Sequence, residues 1–272
     1  KKNFIKTLRW IGYDTSDYLS PIIDKSIKLD KRDFLVLWNK IIASIKKDCD
    51  LIVLNKQIKN NEYFYNPITE FLKCKKTNNT FGFKLQDSQN FFKEKNRALQ
   101  KYRWSKRKIG EIGKLSFEPE IDNIDQKKDL ISKLISWKLD LIKNSKKISS
   151  AFNKNFYIDL LENQSIHLSG LKLNNDFIAI SLGLSFGRNY IYLVPAYKKN
   201  KLYNKFSPGK ILMIELIQHF IEKKFEYFDF ANGEEEYKLD WSNTSFENFT
   251  YVYSNNILGF VFKTLYFLKI SL

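Results

Sequence analysis

The hydrophobic pattern changes period twice between residues 190 and 230. Residues 190–194, Tyr-Ile-Tyr-Leu-Val, form a short β-branched and aromatic run that predicts a buried strand. From 211 to 224 the apolar positions fall at helical spacing, with Leu212, Leu216 and Phe220 beside Ile211, Ile214, Ile217 and Ile221, which predicts a helix with a wide core-facing stripe. Residues 225–230 return to a strand that stops at Ala231-Asn232-Gly233. Strand, helix and strand make one βαβ unit. Such units are right-handed, so the two strands are expected to lie parallel, with ligands outside their carboxyl ends. The loop 195–206 and the segment 229–238 would meet there.

The helix start carries the first candidate chemistry. Ser207 is a good N-cap, and Pro208 fits the first helical position, where a missing N–H costs nothing. Gly209 and Lys210 are then expected to offer free backbone N–H groups at the positive end of the helix dipole, a place for a diphosphate. Taken alone, Ser-Pro-Gly reads equally well as an ordinary helix start.

Elsewhere the pattern is α/β. Residues 1–83 hold a Trp10-Ile11-Gly12 turn, an amphipathic helix over 31–47 and a strand at 51–54, and the polar run 73–79 with the basic helix after Asp87 is read as the crossing into a second lobe. A strand from Leu115 to Pro119 leads to a long helix with Leu130, Leu134, Trp137, Leu141 and Ile142 on one side, then a shorter helix from about Phe152 to Leu161. Runs 166–173 and 177–186 flank the turn Asn174-Asn175-Asp176, and Gly187-Arg188-Asn189 turns into Tyr190, so three antiparallel strands feed the βαβ unit.

Composition narrows the class. In 272 residues, 43% hydrophobic and 16% aromatic, there is a full core, which argues for a folded, soluble protein and against disorder. With 46 Lys+Arg against 30 Asp+Glu, the net charge is +16, which raises nucleic acid or an anionic membrane as partners. The densest basic run, 93–114, contains Arg97, Lys101, Arg103, Lys106, Arg107 and Lys108 around Tyr102 and Trp104; without a nucleic-acid motif it is read first as a solvated helix face. Cys49 and Cys74 form neither a disulfide framework nor a metal site, and a reducing cytoplasm is the expected setting. His167 and His219 are isolated and read as packing or hydrogen-bonding residues, so no metal is implied. The apolar run 257–272 is too short to span a membrane and is broken by Lys263 and Lys269; it is expected to dock as a strand or helix on the lobes, with a membrane surface as the alternative. The start at Lys1-Lys2 is read as a truncation.

Helices, then a meander whose last strand leads through a glycine loop into a helix and another strand, resembles the GNAT superfamily of acyl-CoA N-acyltransferases. Phe177-Ile178-Ala179, Tyr190-Ile191-Tyr192, Ser207-Pro208-Gly209, Asp229-Phe230, Gly233 and Tyr237-Lys238 followed by Trp241 are similar to the pattern of the bacterial acetyltransferase family often named for the cellulose-biosynthesis protein CelD, a relative of the Fem-type aminoacyltransferases. The likeness covers about residues 96–245; Trp10-Ile11-Gly12 and Ser16-Asp17-Tyr18-Leu19 carry a weaker likeness in the first lobe. It implies an α/β fold with a mixed sheet and two tandem GNAT-like lobes, the first incomplete: 1–86, then 87–250 as the acetyltransferase lobe, then 251–272 docked on both.

The resemblance also implies acetyl-CoA or another acyl-CoA as cosubstrate, its diphosphate at Ser207, Gly209 and Lys210 and its pantetheine along Tyr192, Leu193 and Val194. The loop has one glycine where the superfamily's pyrophosphate signature has two. Tyr237 is the implied general acid; by position alone, at the same carboxyl edge, Glu236 or Asp229 is read as the group that takes the amine proton, and Arg188 and Lys238 as holding a phosphate of a nucleotide-sugar or lipid-linked acceptor. That acceptor is an amine-bearing sugar or cell-envelope precursor in surface-polysaccharide assembly, met in the cytoplasm or at the inner face of the cytoplasmic membrane. Aminoacyl transfer from aminoacyl-tRNA to a peptidoglycan precursor is the alternative that brings in nucleic acid, and a non-catalytic scaffold lobe is a third. Packing or capping would also account for Asp229, Glu236 and Tyr237.

Overall fold

The chain divides into two units in a computed structural model that describes residues 5–13, 15–24, 26–59, 65–141, 154–162 and 166–271. The first unit comprises Lys1–Thr80, Asn232–Glu234 and Ser245–Leu272. Its centre is β2 (Leu51–Ile58), flanked by β1 (Thr7–Arg9) in parallel and β9 (Thr244–Ser254) in antiparallel, with β3 (Lys75–Lys84) next to β9. Successive side chains of a strand point to opposite faces. Ile52 and Leu54 therefore join Phe34 of α1 (Lys31–Ile45) and Ile68 of α2 (Pro67–Phe71), while Leu51, Val53 and Val252 pack with Phe262 and Tyr266 of the C-terminal helix α9 (Ile257–Ser271). The run 257–271 thus docks as a helix, so closely that a Cβ on Gly259 would lie 1.9 Å from the Asp50 carbonyl oxygen.

One expectation is corrected in this unit. The strand predicted at 51–54 continues to Ile58 through an irregularity where Lys56 adopts φ 57° and its ammonium binds the carbonyls of Tyr13 (3.1 Å) and Ser16 (2.7 Å). The polar run 73–79 leads into β3, along which the chain passes from the first unit, ending at Thr80, to the second, beginning at Phe81. Its side chains and amides find partners there, Thr77 Oγ1 donating to Asn248 O (3.2 Å) and Asn79 N to Glu234 (2.8 Å), so a polar sequence is compatible with a strand.

The second unit, Phe81–Ala231 and Glu235–Thr244, holds the end of β3, then β8 (Tyr227–Asn232), β7 (Asn189–Tyr197), β6 (Asp176–Phe186), β5 (Ile166–Leu173) and β4 (Leu115–Glu118) in spatial order. β4 to β7 are antiparallel neighbours and β7–β8 is parallel, as the βαβ pattern requires. On one side, α3 (Ser88–Glu94), α4 (Asn96–Gly110) and α7 (Pro208–Glu222) bury Leu99, Tyr190, Tyr192, Leu212, Phe220 and Phe228. On the other, α5 (Ile124–Leu141) and α6 (Lys154–Asp159) bury Leu130, Leu134, Leu168, Ile180 and Val194. The short α8 (Glu236–Trp241) follows β8. Ile142 and Phe152, placed on helices by the sequence pattern, lie outside the described residues.

Helix α7 stops at Glu222, one residue after its last apolar position, Ile221, and two residues short of the predicted end at 224. Lys224 takes φ 58°, and the amides of Lys224 and Phe225 bond back to Ile221 and Phe220 (2.9 Å each), a left-handed cap built without glycine. The final strand begins correspondingly later, at Tyr227.

His167 of β5 packs beside the stacked rings of Tyr190 and Phe220, each 5.2 Å away, and neither ring nitrogen has a hydrogen-bond partner among the described residues. Burial, with His219 and Lys127 adding to it, pushes its pKa from 6.5 down to about 4. The imidazole takes up its proton near pH 6.5 in the unfolded chain but only near 4 in the folded one, so its effect on stability is absent above that window and destabilises the fold by about 3 kcal/mol as pH falls towards 4. Urea unfolding of the parent and His167→Phe across that window is expected to give stability curves that converge as the pH drops. Parallel curves would exclude His167 as the titrating group.

Candidate functional site

β7 carries one residue too many for its partner. Leu182 pairs with Val194 and Gly183 with Tyr192, so Leu193 is the extra residue of a bulge. The bulge re-aims the strand: Tyr190 and Tyr192 point into the α7-side core, and Val194 and Ala196 into the α5-side core. Gly183 faces it because a Cβ there would lie 2.3 Å from Tyr190 Oη and 2.6 Å from Ile191 O. On its other edge β7 pairs with β8 at three positions only, the last being Ile191 with Asp229, although the strands run on to Tyr197 and Asn232. Beyond Asp229 this parallel pair opens.

The start of α7 stands at the same carboxyl end, and its geometry corrects the expected cap. Ser207 has φ 54° and its side chain makes no capping bond. Its carbonyl accepts from Lys210 N (3.0 Å) and Ile211 N (3.2 Å), so Lys210 does not present a free N–H. Pro208 has none to give, which leaves Gly209 as the open donor of the first turn among the described residues. Gly209 is also closely packed: a Cβ there would sit 3.2 Å from the Tyr197 ring, which would have to give by a few tenths of an ångström. Lys210 Nζ lies 3.7 Å from Asp240 of α8.

A buried cationic group adjoins this opening. Lys238, 3% exposed, pairs with Glu235 at 2.8 Å. Lys138 of α5 reaches the Pro195 carbonyl of β7 (3.3 Å); burial lowers its pKa, against which Glu235 acts and to which Lys238 adds. Tyr237 is partly buried against Phe230, its ring centroid 6.5 Å away, and burial with the Glu235 charge raises its pKa, so the phenol holds its proton at neutral pH. Burial above all, with the neighbouring Tyr237 and Tyr190 phenols adding to it, holds the Tyr192 pKa well above its ordinary value.

The expected residues are thus divided. Tyr192, Leu193, Val194, Gly209, Lys210, Asp229, Tyr237 and Lys238 gather at the carboxyl ends of β7 and β8. Asp229 accepts from Ala231 N at 2.7 Å, and Glu236 is an exposed first residue of α8. Arg188 is elsewhere: it precedes β7, at the opposite strand end, and grips the Lys224 carbonyl (2.9 Å from Nε) and Glu226 (2.9 Å). Sequence reading missed Glu235, Lys138 and Tyr197. The signal for Lys138 was there, a lysine on the buried row Ile131, Ile135 of α5.

A model of the acetyltransferase (GNAT) domain family matches residues 96–239. Among curated proteins no sequence matches. Solved structures with a similar fold include the C-terminal domain of a protein assigned as a lysylphosphatidylglycerol synthetase from Agrobacterium fabrum (TM-score 0.56, 13% identity, 82% of this chain and 74% of that one). Others are a conserved protein of unknown function from Bacteroides thetaiotaomicron (0.53, 13%, 80% and 75%) and FemX (0.52, 12%, 82% and 77%). At these identities the likeness is one of fold.

The lysine pair gives a stability prediction. Glu235→Gln leaves Lys138 and Lys238 without the carboxylate between them; because Glu235 is half-exposed, the expected loss in urea unfolding at pH 7 is only about 1 kcal/mol. Adding Lys138→Met, which removes the more poorly solvated ammonium, is expected to recover at least half of it. Losses that simply add would show the two charges to be uncoupled.

Proposed function

The chain belongs to the acetyltransferase (GNAT) domain family and is a transferase, and from that premise we propose that it moves an acyl group from acyl-CoA, acetyl-CoA in the first instance, to an amine. The observation that carries the reading is the opened parallel pair, with β7 and β8 parting after Ile191 and Asp229 beside the Gly209 amide. The residues fit the donor. The freed edge of β7 from Tyr192 to Val194 can bond an extended amide chain, and the start of α7 suits a diphosphate, with Lys210 at its rim. One glycine and one open amide make this a sparser phosphate cradle than a two-glycine loop.

Acyl-CoA brings an activated thioester, which an amine attacks directly, leaving the protein to position, accept a proton and return one to sulfur. Tyr237, kept protonated by burial, suits the donor role to the departing thiolate. Asp229, at the mouth of the opening, suits acceptance of the amine proton, and Glu236 is the exposed alternative. Lys238 and Lys138 favour an acceptor with an anionic group. The CelD-like residue pattern supports an amino sugar or related surface-polysaccharide precursor. No helix among the described residues is long and apolar enough to cross a membrane; the exposed row Ile257, Val261, Leu265 and Leu268 of α9, with the +16 charge, supports contact with the anionic inner face of the cytoplasmic membrane.

A second reading, aminoacyl transfer from aminoacyl-tRNA, is favoured by the basic face of α4 and by the fold shared with FemX and the lysylphosphatidylglycerol synthetase domain. Calorimetric titration of acetyl-CoA separates the two. Binding is expected in the parent and in Gly209→Ala, which carries the same Cβ against Tyr197, and is expected to weaken at least about 100-fold in Gly209→Asp, whose carboxylate opposes the diphosphate. A folded parent that ignores acetyl-CoA but binds tRNA with a steep salt dependence would overturn the first reading in favour of the second.

Tyr237→Phe tests the acid. Turnover is expected to fall about 10²-fold or more while acetyl-CoA affinity stays unchanged. A fall in thermal stability with turnover intact would make Tyr237 a packing residue.

A further inference from the structure

Where α4 ends and β4 begins, the second unit has an open groove of about 440 Å³ whose rim is formed by Arg103, Lys106, Arg107 and Lys114, with Gly110 and Gly113 leaving its floor bare of side chains. No carboxylate lines it. Lys106 is committed to Glu215 of α7, which also accepts from Tyr102 Oη (2.5 Å), and nearby Glu111 is held by Lys108 at 2.7 Å. Arg103, Arg107 and Lys114 form no ion pair among the described residues. The groove therefore concentrates positive charge that the protein leaves unpaired. Two guanidinium forks beside it suit a phosphate dianion, which they can bind bidentately, better than a monoanion.

Its position identifies which phosphate. Trp104 lies on the same helix, its ring 5.5 Å from that of Phe206, the residue immediately before Ser207. Arg107 is three residues after Trp104, hence on the same helix face and about 5 Å further along the axis. A ligand whose diphosphate rests at the start of α7 can thus present a second phosphate to the groove across Trp104. In CoA that second group exists: the ribose bears a phosphomonoester a few bonds from the diphosphate. We propose that the α4–β4 groove binds the 3′-phosphate of the CoA nucleotide, with Arg103 and Arg107 as its main ligands. The inference rests on the acyl-CoA reading and gives the sparse cradle at Gly209 a second anchor. Because the groove is open, the phosphate keeps part of its hydration, and the subsite selects by charge rather than by enclosure.

The test is a calorimetric cycle with CoA and 3′-dephospho-CoA, titrated into the parent and into the Arg103→Ala/Arg107→Ala variant, whose fold is checked by circular dichroism; both positions are exposed on α4. The parent is expected to favour CoA by about tenfold or more, and the variant to bind both ligands equally, at the affinity the parent shows for 3′-dephospho-CoA. Equal binding of both ligands by the parent, or a preference for CoA that survives in the variant, overturns the proposal while leaving the acyl-CoA reading intact. A parent that binds neither ligand overturns both, and if tRNA then binds the parent and not the variant, the groove belongs to a nucleic-acid backbone.

Discussion

One extra residue, Leu193, governs this protein's candidate chemistry. A parallel strand pair in the middle of a sheet normally keeps its ladder closed, because unpaired buried amides and carbonyls are costly. Here the ladder between β7 and β8 closes for three positions and is then released where the bulge turns β7. The same bulge moves Val194 and Ala196 from one core to the other, so both layers of helices grip the strand and hold the opening apart. Gly183 is the condition for this, since any side chain opposite the bulge would strike Tyr190 and the Ile191 carbonyl. Helix α7 then delivers its amino end to the mouth of the gap, as a right-handed βαβ connection must.

The polar groups around the opening follow from that packing. Lys138 and Lys238 come from different layers of the unit, and each is drawn inward by a local partner, the Pro195 carbonyl and the Glu235 carboxylate. A buried ammonium is stabilised by such contacts, and at Lys138 burial still lowers the pKa despite the Glu235 charge. A negatively charged acceptor would complete the compensation, which is how a binding site can be held open at the expense of stability. Tyr237 illustrates the converse: burial near a carboxylate keeps a phenol protonated, the state in which it can give up a proton.

Much of this was legible in the chain, for identifiable reasons. The period switch at 190–230 gave the parallel pair and the helix between them because helix and strand leave different spacings of apolar residues. Details governed by backbone conformation were not legible. Nothing in Ser-Pro-Gly reveals that Ser207 adopts a left-handed φ, which disables its side chain as a cap, or that Lys224 rather than a glycine ends α7. The polar run 73–79 gave no strand signal, because the partners that hold its β3 part, Asn248 and Glu234, are remote in sequence. Arg188 was assigned to the acceptor by its charge, but a residue just before a strand stands at that strand's amino end, and the topology alone excludes it from the site. Lys138 shows the reverse case, a charged residue on an apolar helix row that the sequence reading did not single out.

The arrangement also explains why donor identity has to be decided outside the opened pair. The edge of β7 offers backbone groups, which bond any extended amide chain, and the start of α7 offers one amide and a dipole, which favour any phosphate. Neither discriminates strongly between donors that carry both features. Discrimination then falls to side chains around the rim, and there the protein is richly cationic: Lys198, Lys199, Lys201 and Lys205 in the loop before α7, and Arg103, Arg107 and Lys114 beside it. Charges at such exposed positions act over a Debye length and are screened by salt, so they tune attraction for phosphate-rich donors without altering the core. Under the proposed reading, the fold fixes where an acyl group is delivered, and the α4–β4 surface fixes which phosphate-bearing molecule delivers it.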